Sequence, residues 1–303
     1  MKRFHKLIGI ALSLTIATLI SGCGGGGDTV AAKSTGKLSL SVTDAPPKLG
    51  DDVTEVNIAV IGIEYNHNGS WTAADDFVPQ TFNLLDLQNG KSLHLGDMVL
   101  PAGHYNDGIR FILAAPQNDG DVKSNPDCNI TFADGRSEPL FVPSGAQSGY
   151  KGKGEFDITA DARIEVTADF DVHKSIVVTG KDKYILKPVI RLVVNELSGS
   201  INGTVVDVAG YNSSESLVVY TYEQGTYVDT EAEGEIIFAN SISSSDVNRT
   251  DGHFMLSFLG EGSYSLVTAL YIDNVFDKFV DIEYNVEVLL NTEPTVVNID
   301  TSN

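Results

Sequence analysis

The sequence predicts an all-β protein, two tandem β-sandwich-like domains behind a cleaved signal peptide. Apolar residues alternate with period two in run after run, helical periodicity is almost absent, and Gly, Asn and Asp punctuate the runs at short intervals. The 303 residues exceed what one small core needs, so two domains, each large enough to bury its own core, fit the length.

Residues 1–22 read as the signal peptide. Lys2, Arg3 and Lys6 make a basic start, Leu7 to Ile20 is apolar without a charge, and Ser21 and Gly22 are small. The apolar run is shorter than the roughly 20 residues a spanning helix requires. It ends on "ISGC", which resembles a bacterial lipobox. That resemblance implies that Cys23 is acylated and becomes the mature N-terminus. Gly24 in second place then implies the outer membrane, with the chain facing either the periplasm or the cell surface. Acyl chains contribute roughly 0.8 kcal/mol per buried methylene, and stable attachment takes more than one chain. Residues 23–35, rich in glycine, read as a flexible tether.

Charge narrows the partners. The chain carries 20 Lys+Arg against 41 Asp+Glu, a formal charge of −21, and loss of the three basic signal residues takes it to −24. Phosphate backbones select basic surfaces, so nucleic acid is excluded as a partner. The membrane is a partner through the lipid anchor, and a protein or glycan partner fits an exported chain. With Cys23 acylated, Cys128 has no disulfide mate within the chain, and burial is the expected state of its thiol.

The first domain is expected over residues 36–195. "KLSLSVTD" sets Leu38, Leu40 and Val42 on one face. "VTEVNIAVIGIEY" is apolar on both faces around Val60 and Ile61, which predicts a central or bulged strand. Asn68-Gly69 then suits a hairpin turn. From Ala160 to Val172 the alternation places Ile164, Val166, Ala168 and Phe170 inward, and Arg163, Glu165, Thr167, Asp169 and Asp171 on an open face. "YILKPVIRLVV" closes the domain, with Pro188 at an edge or bulge. The second domain, residues 196–303, shows seven short runs: "GSINGTVVDV", "SLVVYTYEQ", "GEIIFANSI", "HFMLSFL", "SYSLVTALYI", "FVDIEYNVEVLL" and "PTVVNID". That density predicts a β-sandwich.

Seven motifs in order, "LSLSVTDAP", "LLDLQNG", "LPAGHY", "IRF", "PSGAQSG", "DFDVHKSIV" and "YILKPVIR", resemble the family known as domain of unknown function 4382. The family consists largely of exported bacterial proteins without an assigned activity, so the resemblance implies no chemistry. "DGHFMLSFLGEGSYSL" is similar to carboxypeptidase regulatory-like or transthyretin-like domains, which implies a spacer or binding module.

Four groups of residues invite a chemical reading. In "PSGAQSGYKGKGEF", Ser148 and Lys151 match S-x-x-K, but that spacing works on a helix face, and the surrounding glycines oppose a helix. No P-loop pattern is present. The stretch reads as a turn-rich loop, with Ser144, Ser148 and Lys151 as the residues that would meet a ligand. "NDGDVKSNPDCN" offers Asp119, Asp121, Asn125 and Asp127 as oxygen ligands for calcium, without EF-hand spacing; no other cofactor is indicated. Asp169 and Asp171 could be paired acids, but cross-strand ion pairs with Lys187 and Arg191 account for all four residues without chemistry. Trp71 is assigned to core packing, and the scattered histidines to surface and turns. The expected function is a non-catalytic, outer-membrane-anchored binding or scaffolding lipoprotein. An envelope hydrolase using acidic residues and a calcium-dependent adhesion module stand as alternatives.

Overall fold

Period-two alternation becomes strand throughout. The computed structural model describes residues 34–45, 53–114, 127–143, 148–179, 183–233 and 237–301, and residues from Ser34 onward form one compact unit. Among the described residues the first half contributes β1 (Thr35–Ala45), β2 (Val53–His67), β3 (Ser70–Ala73), β4 (Gln80–Asn83), β5 (Leu93–Pro101), β6 (Gly103–Asn106), β7 (Ile109–Leu113), β8 (Asn129–Phe132), β9 (Ser137–Phe141), β10 (Tyr150–Lys153), β11 (Glu155–Ile158), β12 (Arg163–Asp171), β13 (Ile176–Thr179), β14 (Lys183–Leu186) and β15 (Ile190–Val194). The second contributes β16 (Gly199–Val206), β17 (Glu215–Glu223), β18 (Ser243–Asp246), β19 (His253–Leu259), β20 (Gly262–Ile272), β21 (Val275–Val288) and β22 (Thr295–Asp300). No helix among the described residues is long and apolar enough to cross a membrane.

In the first region one sheet runs β13-β14-β9-β8-β2-β7-β10-β15-β12-β1-β5, with β3 and β4 also on β2. Residues from both ends of that order, such as Ile176 and Leu186 at one and Leu95 and Met98 at the other, share a single hydrophobic core. The sheet therefore curls around its core rather than splitting in two. Strand β2 is both central and bulged: its register shifts between Val60 and Gly62, and Ile61 there is 44% exposed. Asn68 (φ 53) and Gly69 (φ 82) make the hairpin turn into β3. Cys128 is buried, its thiol donating to the Ala114 carbonyl at 3.1 Å. Pro188 lies between β14 and β15 and within neither. It marks the point where the chain leaves β9 and β13 for β10 and β12, a crossing that needs no ladder N–H from proline.

In the second region the sheets β19-β16-β22 and β18-β17-β20-β21 enclose a core that includes Ile201, Leu217, Phe254, Leu266 and Ile299. Six of the seven expected runs are strands. The exception is "GEIIFANSI", whose described residues 237–242 form turn and bend; the strand falls instead on the next residues, Ser243–Asp246. Ser243, Ser244 and Ser245 are all buried, so no apolar alternation marks them. The displaced apolar residues find another use. Phe238 packs with Tyr220, Phe276 and Phe279 in an aromatic cluster on the other face of the four-stranded sheet.

Candidate functional site

The polar residues of the family-like motifs converge where the first region meets the second. Strands β12 and β15 are antiparallel neighbours with Asp169 opposite Arg191, and the guanidinium donates to Asp169 Oδ2 at 2.7 Å. Parallel pairing of β1 with β12 brings Asp44 beside them. Beyond β12 a single helical turn, Val172–Ser175, is capped by Asp171, whose Oδ1 accepts from the Lys174 N–H at 3.0 Å. Lys174 Nζ returns to Asp171 Oδ2 at 2.8 Å.

Arg191 and Lys174 also reach across the joint, and His173 does so beside them. Arg191 Nη1 donates to the Phe258 carbonyl at 2.8 Å, Lys174 Nζ donates to the Ser241 carbonyl, and His173 Nε2 lies 2.8 Å from the Ile237 carbonyl. Phe258 stands in the left-handed region (φ 58) inside β19, a conformation uncommon for a bulky residue; the carbonyl it carries is the one Arg191 takes. From the "LQNG" motif, Asn89 (φ 57) and Gly90 (φ 77) form a tight turn. Asn89 Oδ1 accepts from Ser245 Oγ at 2.9 Å. A Cβ on Gly90 would lie 2.9 Å from both Met255 Sδ and Ser257 Oγ, so glycine permits the approach.

The carboxylates at this joint are enclosed. Asp44, Asp169 and Asp171 are 5%, 5% and 9% exposed, which corrects the expectation that Asp169 and Asp171 line an open face. The alternation is real, but the second region covers the polar side. Lys187 is also corrected: it is exposed, and Lys174 takes the place beside Asp171. Burial holds Asp44 well above the usual carboxylate range, with Asp171 and Asp169 adding to the rise and the Val172 N–H opposing it. Burial also raises Asp169, against the opposing pull of Arg191. Asp169 and Asp171 are thus covered and ion-paired, to Arg191 and Lys174.

The other sequence candidates lie elsewhere. Lys151 is exposed on β10, paired in register with Arg110, and its Nζ sits 5.6 Å from the centre of the Trp71 ring. Arg110 lies over the same ring at 4.4 Å. Trp71 is thus a half-buried surface platform for two cations and not the core residue expected. Ser148 is exposed nearby in the chain, while Ser144 lies outside the described residues. Asp127 is exposed, and Asp119, Asp121, Asn125 and Cys23 lie outside the described residues. Among the described residues no three His, Cys, Asp or Glu side chains assemble as a metal-binding set. Sequence reasoning missed Asp44, Asn89, Lys174 and His173, although three of the quoted motifs contain them.

A family model, "Domain of unknown function (DUF4382)", matches residues 35–188. No curated protein matches the sequence. Similar solved structures include BcpA, the major pilin subunit of Bacillus cereus (10% identity, 88% of this chain and 69% of that chain, TM-score 0.21). The minor pilin of Streptococcus agalactiae (10%, 86% and 94%, 0.21) and the shaft pilin spaA from Lactobacillus rhamnosus GG (10%, 89% and 99%, 0.21) are others.

Proposed function

Because the chain belongs to the family described as domain of unknown function 4382, we propose that it is a non-catalytic scaffolding or binding lipoprotein, held to the outer membrane through acylated Cys23. In this reading the family domain serves to fix a second β-region rigidly in place. One observation carries it: the polar residues that would make an active site are consumed in ion pairs and in bonds to carbonyls across the joint. The second region acts as a spacer or binding module of the carboxypeptidase regulatory-like kind. Lys151 on β10, beside Trp71, with Ser148 and Ser144 preceding it in the chain, is our proposed contact for a protein or glycan partner.

Four measurements test this. Backbone relaxation of the mature chain should give both β-regions one common tumbling time, and Arg191→Met should separate them; two independent times in the wild-type chain would remove the rigid scaffold. Metabolic lipid labelling should mark the wild-type chain and not Cys23→Ala, and protease treatment of intact against lysed cells then reads which membrane face the chain occupies. Turnover of a substrate by the purified mature chain would overturn the non-catalytic assignment.

A further inference from the structure

We propose that the joint holds one small hard cation, of the sodium or calcium type, against Asp44 Oδ2 in the cavity between the two β-regions. Asp44 is 5% exposed, and its two oxygens differ sharply in surroundings. Oδ1 accepts from the Val172 N–H at 3.2 Å. Oδ2 is fully enclosed, and although the Gln88 amide is near enough to favour the ionised form, no donor among the described residues reaches Oδ2 in hydrogen-bond geometry. An unpaired buried carboxylate oxygen is costly.

Beside it lies a cavity of about 10 Å³ lined by Asp44, Asp169, Asn89, Ser243, Ser244 and Ser257, among others. That is room for a single water or ion. Ser257 Oγ is likewise enclosed without a partner. Charge decides between the occupants. Asp169 is matched by Arg191 at 2.7 Å and Asp171 by Lys174 at 2.8 Å, which leaves Asp44 as the third carboxyl group, with no cation of its own among the described residues. A water fills the space but leaves the charge. A proton on Oδ2 cancels the charge but, as a single O–H donor, serves only one of the facing oxygens. A cation does both. The named side chains are oxygen donors, which hard cations select.

The test uses the full mature chain in detergent, stripped with chelator and exchanged into choline chloride. Sodium and calcium chlorides are then titrated separately at constant ionic strength. The expected result is a saturable rise in melting temperature of about 5 °C, the scale on which an ion at a hundredfold excess over its Kd stabilises a chain of this size. Equilibrium dialysis with the same ion should give one bound per chain. Asp44→Asn should weaken binding at least tenfold and Ser257→Ala by a smaller factor, which keeps the test open if Asp44→Asn fails to fold. Asp127→Asn should leave the ion effect at the joint unchanged. No rise above choline for either ion, or an equal rise in Asp44→Asn, overturns the proposal. So does stabilisation that appears on acidification alone and ignores the ions, since it would assign Oδ2 to a proton shared among Asp44, Asp169 and Asp171 in the field of Arg191 and Lys174.

Discussion

Glu231 in the second β-region and Asp44 in the first are both acids enclosed by protein, yet only one has its donors supplied within the chain. Glu231 accepts from Tyr222 Oη at 2.9 Å and from the Asn240 backbone and side-chain nitrogens at 3.2 and 2.8 Å. Asp44 receives one backbone N–H, and its other oxygen faces a cavity. The contrast extends to the regions around them. The second region buries polar groups mainly as neutral hydroxyls, such as Tyr220 and Tyr271 with oxygens 2.6 Å apart. The first buries charges and answers them with charges drawn from β15 and from the helical turn. A hydroxyl pair can be lost for about 1 kcal/mol, whereas an uncompensated buried charge costs several. Arg191 and Lys174, whose ion pairs lie within the first region, each also donate to a backbone carbonyl of the second.

That difference can be broken most forcefully at Arg191. Arg191→Met strands Asp169 and removes the bond to Phe258, and we expect a loss of about 3–5 kcal/mol in urea unfolding; Asp169→Leu in the same chain should recover much of it. A loss below about 1 kcal/mol would mean that the joint behaves as a surface pair. In the second region, Gly203→Ala places a Cβ 2.0–2.6 Å from ring atoms of Phe254. Overpacking of this kind costs about 1–3 kcal/mol, and the same measurement should show it with the first core undisturbed.

Acidity sharpens the comparison. Asp44 and Asp169 are raised in the folded chain, so the fold binds those protons more tightly than the unfolded chain. Their stabilising contribution is complete below the unfolded carboxylate pKa and is lost as pH rises through the folded values. In ion-free buffer, Asp44→Asn should gain stability relative to wild type as pH goes from about 4 to 7, read as a growing difference in unfolding midpoint. A constant difference would show that Asp44 does not change its protonation over that range. The neutral network responds at the opposite end of the scale. Burial raises the hydroxyls of Tyr220, Tyr222 and Tyr271, so an absorbance titration should leave them un-ionised at about pH 11, above the ordinary phenol value. Tyr220→Phe should cost about 1 kcal/mol. The smallest effect is expected at exposed His104, beside Glu155 and Asp157 at 3.7 and 3.0 Å: His104→Ala should change stability by less than about 0.5 kcal/mol.

Much of the architecture was legible in the chain itself. Strand β12, the Asn68-Gly69 turn and the core residues Leu38, Leu40 and Val42 follow from local pattern, because a strand's period and a turn's positive φ are properties of neighbouring residues. Where burial came from afar, pattern misled. Asp169 and Asp171 alternate as an exposed face would, and the stretch before β18 is apolar enough to pass for a strand although it packs as an aromatic lid.

The sequence by itself determined the all-β class and most of the strands, since these depend on side-chain periodicity, and it offered Lys187 and Arg191 as partners for Asp169 and Asp171 without dividing them into pairs. The tertiary structure alone decided that the motif residues face another β-region, that Lys174 and not Lys187 answers Asp171, and that Asp44 carries an enclosed oxygen beside a cavity. Those outcomes depend on which surfaces lose their water, and that is settled by contacts between residues such as Gly90 and Met255, far apart in the chain and together only in the fold.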